Sequence, residues 1–283
     1  MWMAAADMLT DQPQDVPFAM LRALRLVPLL ALLTLAACAA PEEPDPTAGR
    51  SAEDIYSEAR GHLNSGNWQS AIELLEGLEA RYPYGDHAQQ AQLDIAYAYY
   101  KNADHLSAVL AAERFIKLHP RHENVDYAYY LRGLASFDQG SSSLQRFFKQ
   151  NPAARDPKVL REAFDHFDEL ITRFPDSRYA PDAVQRMTHA RNLLAEHEIL
   201  VADYYLRRGA HLAAVNRAQH VVETYPQTGA VPQALEMMVR GYRLLELPDL
   251  AEDALRVLAK NHPDRAARLR AEAERITRAP DES

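Results

Sequence analysis

Five stretches of the chain repeat one pattern of apolar and polar positions. They are "SAIELLEGLEARYP" (70–83), "SAVLAAERFIKLHP" (107–120), "EAFDHFDELITRFP" (162–175), "AAVNRAQHVVETYP" (213–226) and "LAEDALRVLAKNHP" (250–263). Set on Pro83, Pro120, Pro175, Pro226 and Pro263, each has alanine twelve residues earlier: Ala71, Ala108, Ala163, Ala214 and Ala251. Eight residues before the prolines stand Leu75, Ala112, Phe167, Ala218 and Leu255, and five before stand Leu78, Phe115, Leu170, Val221 and Leu258. Steps of four and three place these positions on one face of an α-helix. Alanine suits a close approach of two helices. The residue before each proline is Tyr82, His119, Phe174, Tyr225 or His262. A residue in that place disfavours the α region, so the proline closes the helix.

Each such helix needs a partner before it, and the chain supplies five. Ile55, Tyr56, Ala59 and Leu63 mark the first, ending in a turn at Ser65-Gly66-Asn67. Leu93, Ala96, Tyr97 and Tyr100 mark the second, with a turn at Asn102, and Tyr127, Tyr130, Leu131 and Leu134 the third. A long helix follows from Pro181 towards Gly209, and Leu235, Met238 and Tyr242 mark the fifth. After Pro263, "DRAARLRAEAERITR" reads as an amphipathic helix able to cap the array, as terminal repeats require. The rhythm is similar to the tetratricopeptide (TPR) pattern, in which a small residue precedes a closing proline by about twelve positions. The expected fold is all-α, a TPR-like α-solenoid of about five helix pairs with a C-terminal capping helix.

The prolines lie 37, 55, 51 and 37 residues apart, so two repeats are enlarged beyond a period of about 34. Residues 139–158 form an inserted loop, and its "LQRFF" either docks on a partner or tucks into the stack. The expected divisions are N-terminal repeats over 51–138, the loop over 139–158, C-terminal repeats over 159–263, and a cap and tail over 264–283.

The first 50 residues break the rhythm. "LVPLLALLTLAA" (26–37) is an apolar run behind Arg22 and Arg25, too short for a bilayer-spanning helix of about 20 residues. Residues 1–37 read as a signal peptide; residues 1–19 carry Asp7, Asp11 and Asp15 where positive charge belongs, which points to a start at Met20. Leu35-Ala36-Ala37-Cys38 resembles the lipobox of bacterial lipoproteins. That resemblance implies cleavage before Cys38, a diacylglyceryl group on its thiol and an acyl chain on its amine. Residues 38–50 then form a lipidated, extended tether. In lipoproteins of Gram-negative bacteria Asp at this place favours the inner membrane, so Ala39 points to the outer membrane.

Composition narrows the chemistry. The formal charge is -9, which argues against nucleic acid as a partner. With one cysteine the chain forms no internal disulfide. The eleven histidines include His119 and His122 but form no His-Glu-x-x-His. His119 and His262 occupy a repeat position, so they read as helix-end packing rather than metal ligands. Asp165, Asp168 and Glu169 lie near one another on a helix, but an acidic face on a solenoid is commoner than a catalytic pair. No metal, no cofactor beyond the lipid and no enzymatic activity are expected.

"RYPYG", "AYAYYKNAD", "VDYAYYLRGL", "ARDP" and "YYLRRGAHLAAVNR", set behind a lipobox, make the chain resemble the BamD family of outer-membrane assembly lipoproteins, also called competence lipoproteins. The resemblance runs from Ser51 to about His262. It implies a non-enzymatic scaffold of the β-barrel assembly machinery, lipid-anchored on the periplasmic face of the outer membrane. Its implied partners are a BamA-like barrel protein bound through its periplasmic domains, accessory Bam lipoproteins, and unfolded β-barrel precursors that it helps to deliver and insert. The residues themselves suggest where. Tyr97, Tyr100, Tyr127 and Tyr130 are either a peptide-binding groove or, in part, repeat core, since tyrosine serves both. Lys101 and Arg132 are placed to meet a terminal carboxylate. Arg207, Arg208, Asn216 and Arg217 form either a partner-binding edge or a solvated basic turn. The competing reading is a TPR lipoprotein that assists pilus or secretin assembly.

Overall fold

Eleven α-helices appear among the described residues of the computed structural model, which are 45–84, 87–139, 151–154 and 156–278. In chain order they are α1 (Ala52–Ser65), α2 (Trp68–Arg81), α3 (Ala88–Lys101), α4 (His105–Leu118), α5 (Val125–Gln139), α6 (Pro157–Arg173), α7 (Ala180–Arg207), α8 (His211–Thr224), α9 (Val231–Leu244), α10 (Pro248–Asn261) and α11 (Pro263–Arg278). A short 3-10 turn, Pro152–Ala154, precedes α6. The expected signal peptide, Cys38 and the expected tether up to Pro44 lie outside the described residues, as do residues 140–150 with "LQRFF", Arg155 and the tail from Ala279. Contacts divide the chain into Met1–Ala48 and Gly49–Ser283, and the helices belong to the second unit.

The helices pair as α1/α2, α3/α4, α5/α6, α7/α8 and α9/α10, with α11 last. Each packs on the next along the chain, and from α3 onward the first helices of successive pairs also touch one another. The repeat positions read from the sequence are the core. Ala71, Ala108, Ala163 and Ala214 are wholly buried and Ala251 nearly so, as are all ten residues five and eight before the prolines. Each of Tyr82, His119, Phe174, Tyr225 and His262 ends its helix with φ between -123° and -142°, its N–H donating to the carbonyl four residues back. The cap helix closes the far end by adding Ala266 and Leu269 to the cluster of Leu235, Val239, Leu255 and Leu258.

The turn inside a pair obeys a rule of its own. Gly66, Ala103, Gly209 and Glu246 all have left-handed φ, between 59° and 78°, and each stands seventeen residues before its proline. One residue further on, the N–H groups of Asn67, Asp104, Ala210 and Leu247 reach back five residues to the carbonyls of His62, Tyr99, Tyr205 and Tyr242. That is the Schellman closure, which satisfies helix-end carbonyls and prefers glycine. Two of the four places lack glycine, so the packing of the pair imposes the conformation there. In the third pair the inserted segment replaces this turn. Its described end tucks into the stack: Ala153 is fully buried beside Leu160, Leu193 and Leu194, and its carbonyl lies 2.9 Å from His197 Nδ1.

Candidate partner-binding surfaces

The tyrosines of α3 and α5 converge because α3, α5 and α7 are neighbours in the row of first helices. Tyr130 stacks on Tyr179 at 4.8 Å and 15°, and Tyr127 lies 5.2 Å from the same ring. Tyr97 meets Trp68 edge-on at 6.0 Å, and Lys101 Nζ stands 5.5 Å over that indole. Two of the phenol tips have fixed partners. Tyr100 donates to Asp138 at 2.8 Å and Tyr130 donates to Asp182 at 2.6 Å, where Arg186 also donates at 2.5 Å. Burial, then the hydrogen bond to Asp138, hold the Tyr100 phenol well above its usual pKa; burial and the neighbouring Tyr97 and Tyr179 do the same for Tyr127. Both stay protonated and uncharged at neutral pH. Burial pushes Asp182 up, but hydrogen bonds from Tyr130 and Arg186 outweigh it, so its carboxylate is held below the usual range.

The structure therefore brings together Tyr97, Tyr100, Tyr127 and Tyr130 as one partly exposed aromatic face, with exposed Lys101 at its rim. Arg132 goes elsewhere. It is 8% exposed, donates to Glu169 of α6 at 2.5 Å, and lies 5.0 Å over the buried Tyr129 ring. It holds the α5/α6 layer together rather than presenting a charge. Tyr179, Asp182 and Arg186 complete the face and escaped the sequence reading, because they sit at the start of α7, about 50 residues from the tyrosines they meet. Trp68 opens α2 and carried no groove signal either.

Next to Arg132, Ser136 Oγ lies 2.9 Å from His166 Nδ1. Burial first, and the Arg132 charge second, lower the His166 pKa to about 4. The unfolded chain, with a histidine pKa near 6.5, binds a proton that the folded chain refuses. Stability contributed by neutral His166 is complete above about pH 6.5 and is lost as the pH falls towards 4. Replacing His166→Gln is expected to flatten the urea midpoint over that window; an unaltered pH slope would count against a buried neutral imidazole.

The second predicted set lies at the α7–α8 turn. Arg207 pairs with Asp203 at 3.1 Å, and Arg208 lies 5.5 Å over the Tyr204 ring. Asn216 is exposed, while Arg217 reaches the buried Glu198 at 3.1 Å. Apolar side chains stand among these charges: Tyr204, Leu212 and, on the next turn, Leu244 are each about half exposed or more. The two turns adjoin, since a Cβ on Gly241 of α9 would strike Val215 of α8 and sit 3.7 Å from the His211 carbonyl. Exposed apolar groups rimmed by charge occur at protein, membrane and ligand contact sites alike.

Among the described residues no group of three or more His, Cys, Asp or Glu is gathered to hold a metal ion. His119 bonds Gln92 at 2.7 Å and packs 5.1 Å from Phe115. Asp165 and Asp168 are exposed, and Glu169 serves Arg132 and Arg173. No described helix is long and apolar enough to cross a membrane.

A model of the YfiO family, described as an outer membrane lipoprotein, matches residues 49–258, which is α1 to most of α10. The chain belongs to this outer membrane lipoprotein family. It is 45% identical to the outer membrane protein assembly factor BamD of Neisseria gonorrhoeae, over 82% of this chain and 88% of that one. It is 41% identical to the protein of the same name in Vibrio cholerae, over 82% and 96%. Among solved structures, the MamA protein aligns over 76% of this chain and 94% of its own at 14% identity and a TM-score of 0.29. The TPR-like assignment of this family member rests on the helix pairing and turn geometry given above. The YfiO match covers both tyrosine and arginine surfaces and ends before α11.

Proposed function

We propose that this protein is a scaffold for outer membrane protein assembly, held to the membrane by lipid on Cys38. The observation that carries the reading is identity of 41–45% over most of both chains to assembly factors of that name. The aromatic face of α3, α5 and α7 receives unfolded β-barrel precursors. Tyrosine suits this work, because its ring accepts the apolar side chains of an extended segment while its hydroxyl stays bonded. Lys101 meets a terminal carboxylate, and no bond is made or broken. The edge of Arg207, Arg208, Asn216 and Arg217, with Tyr204 and Leu212, takes the periplasmic domains of a BamA-like barrel protein. Accessory Bam lipoproteins complete the assembly.

The test is purification of the C-terminally tagged chain from envelopes in mild detergent. A barrel protein with periplasmic domains is expected in near-equal amount; a secretin or pilus subunit in its place would move the function to that process. With the purified chain, Lys101→Glu is expected to weaken a peptide copying the C-terminal strand of a barrel protein about tenfold, the size of one charge-assisted contact. Equal affinity would place peptide reading elsewhere.

A further inference from the structure

The cap helix carries chemistry that the function above does not use. A cleft of about 420 Å³ lies between α9 and α11, lined by Arg240, Arg265, Arg268, Arg275, Glu236 and Glu272. Two of its four guanidinium groups are answered across the helices: Arg240 donates to Glu272 at 2.8 Å and Arg265 to Glu236 at 3.0 Å. Arg268 and Arg275 have no hydrogen-bond or ion-pair partner among the described residues. The cleft therefore keeps two uncompensated positive charges on a chain whose formal charge is -9. Arg240 and Arg265 already hold carboxylates there, and Arg268 and Arg275 offer the same guanidinium chemistry.

We infer that the α9/α11 cleft binds an acidic, proline-rich segment of a partner protein, with two of its carboxylates on Arg268 and Arg275. Seven helical residues separate these arginines, a rise of about 10.5 Å. A polyproline II strand brings every third residue to the same side, about 9.3 Å apart. Carboxylates at i and i+3 of such a strand match the two guanidinium groups. The walls are helices with no free backbone edge, which excludes pairing with a β-strand. Polyproline II needs no backbone partner and loses little entropy on binding. The helix carrying both arginines begins at Pro263, past the residues that the family model matches. Arg268 and Arg275 thus belong to neither surface assigned above, although Arg240 lies one turn from Leu244 on α9.

The test uses the full mature chain and a fluorescein-labelled, capped peptide Pro-Glu-Pro-Pro-Glu-Pro, read by anisotropy at low salt. Binding is expected to exceed that of the Pro-Gln-Pro-Pro-Gln-Pro control at least tenfold, and Arg268→Gln or Arg275→Gln to weaken it about tenfold each. Both residues are exposed, so the variants keep the helix, which circular dichroism verifies. Equal binding of the two peptides, or no loss in either variant, overturns the proposal. Vesicles of phosphatidylglycerol that bind the chain through the same arginines, with no peptide binding, would assign the cleft to a lipid surface instead. Tighter peptide binding after Asp281→Asn with Glu282→Gln would assign it to the chain's own tail.

Discussion

Ala163→Asp is expected to unfold the centre of the stack. Ala163 is wholly buried on α6, at the repeat position twelve residues before Pro175. One helical turn along, Phe167 meets α5 so closely that a Cβ on Gly133 would stand 2.6 Å from its ring. An aspartate at 163 would put its carboxylate at a wholly buried position. Burying its carboxylate costs about 4 kcal/mol or more, the exceptional end of single substitutions. In a solenoid each repeat is held by its neighbours, so losing the α5/α6 pair uncouples the two halves. Helical circular dichroism is expected to melt far below the wild type, or in two steps. Ala163→Gly, at about 1 kcal/mol, measures the backbone share of the loss. An unchanged melting curve for the aspartate would mean that this position does not lie at a helix crossing.

The buried ion pair of the same layer gives the second large effect, and it is lopsided. Arg132 has a side chain 9% exposed, whereas Glu169 is 34% exposed and also pairs with Arg173 at 2.9 Å. Glu169→Ala strands a buried guanidinium whose Nε already lacks a partner among the described residues. The expected loss is about 3–5 kcal/mol, seen as a lower urea midpoint. Arg132→Met leaves Glu169 with Arg173 and with water, and its apolar chain fills the space beside Tyr129. It is expected to be near neutral. Equal losses in the two variants would mean that solvent reaches both partners alike. Because Tyr129 and Tyr130 lie three and two residues before Arg132 on α5, Glu169→Ala is also expected to weaken peptide binding while Arg132→Met preserves it.

Much of this fold could be read from one-dimensional spacing. The alanine-to-proline rhythm works because 3.6 residues per turn ties sequence separation to helix face, and because proline acts on its immediate predecessor. Those rules need no distant residue, so Ala71, Phe167 and Leu258 were placed in the core, and Tyr82 and His262 at helix ends, without coordinates. The resemblance carried by "RYPYG" and "AYAYYKNAD" agreed with the family match over 49–258. What escaped depends on which helices meet. Ala103 and Glu246 take a left-handed turn usually left to glycine because their helix pairs impose it. Arg132 looked like a free cation on a tyrosine-rich helix, yet α6 brings Glu169 to it from 37 residues away. Tyr179 and Asp182 joined the aromatic face from a similar remoteness. Helix periodicity, the closing prolines and the lipobox pattern were thus set by the sequence alone. Which charges are buried, and which aromatic rings share a face, were decided only when the helices stacked, because a side chain's partners come from neighbouring repeats rather than from its own.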